Sequence, residues 1–293
     1  MHKLLSIIFL FSICGVFSQF IENVDFRAQG KTIVVTYDFF HPKADTTINV
    51  ELVFKNQQGV VLNPKTITGA IKNVKPGESK RIVWDVLNDG ISLSGKYKAE
   101  VSIQKKVPSI NIGSQVWTNE NLNVDHFRNG DIIPEAKTAE EWIIAGKNKQ
   151  ASWCYYDNDP ANGQKYGKLY NWYAVNDKRG LAPVGWHVPS DAEWTILSTF
   201  LGGEDVAGIK MKSTSGWNDN GNGTTSSGFL GLPGGARYYN GYFSNVGSNG
   251  YWWSASEGTE SFAWDRKLFN SLSYLFRDVS FKSHGLSVRC VRD

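Results

Sequence analysis

Trp186-His187-Val188-Pro189-Ser190-Asp191-Ala192-Glu193-Trp194 is followed, after one short helical run, by Gly202-Gly203. It is answered near the other end by Ser287-Val288-Arg289-Cys290-Val291-Arg292. The Ser190 hydroxyl can cap the amide near Glu193 while Glu193 reaches back, so the spacing predicts a helix over 190–202, ending where a left-handed turn costs least. Both signatures are aromatic or charged and stand at element ends, which points to one compact fold.

Two more helices are expected around this centre. Thr138-Ala139-Glu140-Glu141 reads as a capping box that starts a helix running to about Ala145. Residues 166–176 carry Leu169, Trp172, Tyr173 and Val175 on one helical stripe. After Gly203 no helical period is visible, and 228–235, 250–255, 261–268, 274–280 and 286–291 read as short strands joined by loops. Ten of the eleven tryptophans lie beyond Asn111. Dense aromatics with Gly-rich turns indicate an irregular α+β domain over 108–293, its core built from large rings threaded by loops.

The chain before this domain follows other rules. Within 19–107, period-two runs such as Lys31-Thr32-Ile33-Val34-Val35-Thr36-Tyr37 and Arg81-Ile82-Val83-Trp84-Asp85-Val86 alternate with turn residues, the pattern of an all-β sandwich. Lys105-Lys106-Val107-Pro108 breaks that pattern and reads as a short, stiff linker. Residues 1–18 read as a secretory signal: Lys3 is the charged start, 4–17 the apolar run, and Val16-Phe17-Ser18 the cleavage site before Gln19. Cys14 is not read as a lipid-attachment site because Ile13 stands where a small residue is needed. No other stretch approaches the roughly 18 to 20 apolar residues of a membrane helix. A net charge of +3 without a basic block gives no footprint for nucleic acid. The mature chain is therefore expected outside the cytoplasm, in the periplasm, at the cell surface or beyond.

The second domain resembles the Fibrobacter succinogenes major paralogous domain family. The resemblance rests on Ile112-Gly113-Ser114-Gln115-Val116-Trp117-Thr118-Asn119-Glu120-Asn121-Leu122, Phe127-Arg128-Asn129-Gly130-Asp131, Tyr155-Tyr156-Asp157-Asn158-Asp159-Pro160 and Tyr166-Gly167-Lys168-Leu169-Tyr170-Asn171-Trp172-Tyr173-Ala174-Val175. The Trp186 motif, Leu232-Pro233-Gly234-Gly235 and the terminal Ser287 motif complete it. It implies a fold related to the C-type-lectin-like and sulfatase-modifying domains and leaves the activity open. Many members of the family carry a cysteine before the Pro-x-Gly-Trp step, where this chain has Ala182. In the first domain, Val83-Trp84-Asp85, a turn and Gly95-Lys96-Tyr97 resemble the last hairpin of immunoglobulin-like domains of bacterial exported proteins; only the fold is carried over.

Val188-Pro189-Ser190-Asp191-Ala192-Glu193-Trp194 is also similar to a segment of the formylglycine-generating sulfatase-modifying enzymes. Those enzymes need reactive cysteines late in the chain, and here no second late cysteine accompanies Cys290. Beyond the signal only Cys154 and Cys290 remain, and they are read either as one disulfide or as two small buried hydrophobes.

Other constellations have plainer readings beside the functional ones. Asp157-Asn158-Asp159 gathers oxygen ligands suited to calcium, but Lys168 occupies the position where an EF-hand needs Glu, and an Asx turn before Pro160 is favoured. Trp217-Asn218-Asp219 opens a Gly-Asn loop without the acidic-Pro pair of calcium lectins. The histidines form no metal-spaced pair, and His187 is expected to be packed and hydrogen-bonded. Glu120, Glu193 and Asp265 cannot be paired into a glycosidase dyad from sequence. No catalytic constellation, cofactor motif or metal set is found.

Gly235-Ala236-Arg237-Tyr238-Tyr239-Asn240-Gly241-Tyr242-Phe243-Ser244-Asn245 is different. In a hairpin, neighbouring side chains alternate faces, so some of these rings must be exposed. Arg237, Tyr239, Asn240 and Tyr242 are the expected ligand-binding residues, combining a stacking face with directional donors. The expectation is an exported, non-enzymatic binding or adhesion protein recognising a glycan or protein ligand at the cell surface. The alternatives are a degenerate sulfatase-modifying-type enzyme and a structural component of a surface assembly.

Overall fold

The structure, a computed structural model, describes residues 19–57, 61–93, 95–104 and 107–293. The expected signal at 1–18 and the two lysines of the linker lie outside the described residues. The chain divides into two compact units between residues 105 and 106. No helix among the described residues is long and apolar enough to cross a membrane.

The described residues of the first unit form β1 Phe20–Gln29, β2 Thr32–Phe40, β3 Val50–Asn56, β4 Val61–Leu62, β5 Ile67–Gly69, β6 Gly77–Asp85 and β7 Tyr97–Ile103. They make two sheets, of order β1-β2-β6-β5 and β4-β3-β7. Alternation does the work expected of it. Ile33, Val35, Tyr37 and Phe39 of β2 and Ile82 and Trp84 of β6 share one core with Val50, Leu52 and Phe54 of β3 and Ala99 and Val101 of β7. Trp84 donates from its indole to Asp89 at 2.7 Å. That carboxylate also takes the Lys65 and Thr66 amides, and against the cost of burial these bonds bring Asp89 down to about 2.

The second unit contains β8 Ser109–Ile112, β9 Gln115–Thr118, α1 Ala139–Lys147, β10 Trp153–Cys154, α2 Pro160–Tyr166, β11 Leu169–Tyr170, α3 Trp172–Val175, β12 Trp186–His187, α4 Asp191–Phe200 and α5 Glu204–Met211. After these come β13 Gly234–Arg237, β14 Phe243–Val246, β15 Asn249–Glu257, β16 Phe262–Phe269, β17 Phe276–Phe281 and β18 Val291–Arg292. Its strands make small sheets: β12-β18-β9-β8, β15-β16-β17, and the pairs β10-β11 and β13-β14. The Trp186 motif and the terminal motif meet directly, with Trp186 opposite Arg292 and His187 opposite Val291. The capping boxes of α1 and α4 are both formed.

Two expectations about helices are corrected. Residues 166–176 are not one helix: Gly167, at φ +76°, ends α2, and β11 separates it from the single turn of α3. The Asx turn expected at Asp159 before Pro160 is formed, and it also opens a helix. Asp159 caps α2 by accepting from the Ala161 amide at 2.9 Å, with Pro160 in the first turn where its missing N–H is harmless. Finally, α5 exists where no period was visible; it buries Ala207, Gly208 and Met211, and Gly208 lies so close to the Tyr274 carbonyl that a methyl would stand 2.3 Å from its oxygen.

A small-sheet domain of this kind leaves many loop carbonyls inside, and buried cations satisfy them. Arg289, fully buried, donates to the Thr118, Phe229 and Leu230 carbonyls and to Asn121 Oδ1, while desolvation pushes its guanidinium down to about 9. Lys212 donates to the Phe269, Asn270 and Leu272 carbonyls. Each unpaired buried carbonyl would otherwise cost about 1 to 3 kcal/mol.

Candidate functional site

Strands β13 and β14 pair with Arg237 opposite Phe243, so residues 238–242 form the hairpin loop. The Tyr238 amide donates to the Tyr242 carbonyl at 2.8 Å and the Gly241 amide to the Tyr238 carbonyl at 2.9 Å. Gly241 is required twice over: its φ is +85°, and a methyl there would stand 2.6 Å from Ala139 Cβ. The loop is thereby pressed onto the start of α1.

Arg237 does not play the part expected of it. It is 1 % exposed, and its guanidinium holds the Ala136 carbonyl at 2.6 Å, the Thr138 carbonyl at 2.8 Å and the Gly241 carbonyl at 3.1 Å. Its faces lie against Trp142 and Phe243. Each of its three nitrogens thus donates to a main-chain carbonyl, one in the loop and two just before α1, and the side chain is buried away from any ligand. Asn240 is exposed, but its side-chain oxygen accepts from the Tyr242 amide at 3.3 Å and serves the turn as well.

The two tyrosines are presented outward: Tyr239 is 54 % exposed and Tyr242 71 %. Tyr239 lies parallel to the His284 ring, with centroids 5.8 Å apart, and edge-on to Phe281 at 5.4 Å. Phe281 in turn packs on Phe262 at 4.4 Å. Tyr239, Phe281 and Phe262 therefore make an aromatic ledge continuous from the loop to the β16-β17 edge. His284 had no expected role. Burial, and then the Lys267 charge, push its imidazole down to about 4, and its Nε2 is buried with no hydrogen-bond partner in the structure.

A polar group lies on β16 and β17. Asp265 is fully buried and accepts from the Ser280 hydroxyl, with Lys267 Nζ 3.7 Å away and its other oxygen unpartnered. Burial outweighs the lysine and pushes this carboxyl up to about 6. Lys267 makes its closer pair with Asp278, at 2.7 Å.

The other sequence candidates are scattered. His187 is hydrogen-bonded as expected but only half-buried, set between Glu193 Oε1 and Asp293 Oδ1 at 2.7 Å each. Glu193 also accepts from the Ser190 amide at 2.7 Å, so both of its oxygens are committed to the α4 cap and His187. Trp194 enters the core against Trp117 and Phe229. Asp219 accepts from Asn270, and Trp217 is buried. Among the described residues no cluster of three or more His, Cys, Asp or Glu side chains is arranged to hold a metal. The disulfide is not formed: Cys154 and Cys290 are free thiols buried in separate apolar clusters, and desolvation pushes both up to about 12.

These features define a β-rich protein of two units whose second unit presents a fixed aromatic loop. The chain belongs to the Fibrobacter succinogenes major domain family, whose model matches residues 110–292. No curated protein and no solved structure matches the chain.

Proposed function

We propose that this is an exported, non-enzymatic binding or adhesion protein, an immunoglobulin-like domain carrying a C-type-lectin-like head that recognises a glycan or protein at the cell surface. The observation that carries the reading is the exposure of Tyr239 and Tyr242 on a loop whose backbone is fixed by Arg237 and Gly241. Exposed rings on a pre-ordered loop lose little conformational freedom on binding, which is the economy of a recognition surface. The thiol of Cys290 is buried and free, which favours a structural reading of the segment shared with the sulfatase-modifying enzymes.

The test is a glycan and protein array probed with the wild-type chain and with Tyr239→Ala and Tyr242→Ala. Each substitution is expected to weaken binding by about five- to thirtyfold, the usual effect of losing an exposed aromatic contact. Ligands bound equally by all three proteins would place recognition elsewhere.

A further inference from the structure

In the first unit, β7 ends the β4-β3-β7 sheet, and β3 is its one ladder partner among the described residues. The Gln104 amide donates to the Asn49 carbonyl at 2.8 Å, and the register continues with Ser102 opposite Glu51, Glu100 opposite Val53 and Lys98 opposite Lys55. Hydrogen-bonded and non-bonded pairs alternate along an antiparallel ladder. The main-chain groups of Ser102, Glu100 and Lys98 therefore face β3, while those of Tyr97, Ala99 and Val101 face away from it. Beside them lies an open cleft of about 480 Å³, bounded on its other side by Val24, Asp25 and Phe26 of β1. β1 pairs with β2 and not with β7.

The outer edge of β17 in the second unit is closed by comparison. The Lys282 amide donates to the Ser261 carbonyl, so by the same alternation Val279 and Phe281 turn their main-chain groups away from β16. There the Asp278 carboxylate takes the Val279 amide at 2.8 Å, and the Phe281 carbonyl accepts from the His284 amide at 2.8 Å. An unpaired edge is a template for another strand, and sheets commonly blunt it. Among the described residues no side chain does so at Ala99 or Val101.

We propose that this edge binds a second copy of the chain, β7 pairing antiparallel with the partner's β7 about a two-fold axis at Ala99. The charges select that register. An axis at Lys98 or at Glu100 sets that residue against its own copy, like charge on like, and an axis at Val101 pairs neither. At Ala99, the outward main-chain groups of Tyr97 meet those of the partner's Val101, and Ala99 meets the partner's Ala99. Lys98 then stands opposite the partner's Glu100, and Glu100 opposite the partner's Lys98. Both are non-bonded positions, where side chains come closest, with Cα atoms about 4.5 Å apart. The Lys98 side chain is 77 % exposed and meets Glu100 of its own strand at 3.4 Å, an arrangement readily exchanged. Lys55 holds Glu100 at 2.7 Å, so each Glu100 would lie between Lys55 of its own chain and the partner's Lys98. The pairing is independent of what the Tyr239 loop binds, and it would give one particle two such loops.

Sedimentation velocity of the chain from Gln19 onward, run from about 1 to 300 µM, tests this. The wild type should show a reversible monomer–dimer equilibrium within that range. Lys98→Glu and Glu100→Lys each set like charges face to face and should weaken the dimer about tenfold or more. The double variant with both changes restores opposite charges and should dimerise within about threefold of the wild type. Hydrogen exchange over residues 97–103 should be slower at the high concentration than at the low one. A wild type that stays monomeric overturns the inference. So do a dimer indifferent to both single reversals, a double variant no tighter than the single ones, and exchange over 97–103 that does not slow.

Discussion

Arg237 reaches forward along its own hairpin and holds the carbonyl of Gly241 through Nε at 3.1 Å. The same guanidinium holds two carbonyls at the start of α1, so a single side chain locks the loop to the helix beside it. Arg237→Ala should lower the stability of the second unit by about 3 kcal/mol, because it leaves buried carbonyls without donors. Tyr242→Ala should change stability by no more than about 0.5 kcal/mol. Urea denaturation of the two variants measures the contrast, and equal effects would contradict the division of roles.

Trp194 is fully buried, packed on Trp117 with ring centroids 4.7 Å apart. Trp194→Ala is expected to cost about 3 to 5 kcal/mol, as large-to-small core changes do. The same denaturation experiment reads it, and a loss below about 1 kcal/mol would show that the ring is not part of the core.

His187 sits between two carboxylates. Burial disfavours its charged form, but the bonds to Asp293 and Glu193 prevail and raise its pKa. A group whose folded pKa is raised contributes stability that is complete below its unfolded value, about 6.5 for imidazole, and that is lost as pH rises through the folded value. Wild-type Tm should therefore fall relative to that of His187→Gln as pH rises from roughly 6 to 8. A constant difference across that range would mean that the ring does not gain its proton on folding.

Asp265 has the same linkage sign for a different reason. Its carboxyl is raised to about 6 by desolvation, so the stabilising contribution is complete below the ordinary carboxylate range and lost as pH climbs through about 6. At neutral pH the protein carries a buried carboxylate with an unpartnered oxygen. Asp265→Asn should raise Tm by about 2 to 4 °C near neutrality and give no gain near pH 4. A gain of equal size at both pH values would remove ionisation as its cause.

A chain starting at Gln19 should titrate two thiols when unfolded without reductant, since Cys154 and Cys290 are both free. In the folded protein neither should react at neutral pH, because burial pushes both to about 12. Finding no thiols in the unfolded chain would show that the pair closes after all.

What the sequence made legible was local. The caps at Thr138 and Ser190 lie within three residues of their partners, and the β2 and β6 alternation is carried by contiguous residues. What it hid depended on distant groups. Helix α5 has a glycine in its interior that a propensity argument rejects, yet Gly208 is what lets the helix approach the Tyr274 carbonyl. Arg237 in a Gly- and Tyr-rich loop has the look of a surface donor, and only the folded chain brings Ala136 and Thr138 to it. Alternation led to the expectation that some of these rings would be exposed, but the two that are, Tyr239 and Tyr242, lie in the loop between the strands, and the neighbours of Tyr239, Phe281 and His284, come from a segment some forty residues later.

The bonds made by Arg237, Arg289 and Lys212 end largely on main-chain oxygens, and every amino acid supplies the same carbonyl whatever its side chain. Positions 239 and 242 can therefore diversify while the hairpin keeps its shape, provided that Gly241 and Arg237 stay fixed. Copies of this domain could drift apart in the surface they present through substitutions at those two tips alone, and a laboratory library randomised there would sample new surfaces on an unchanged chassis.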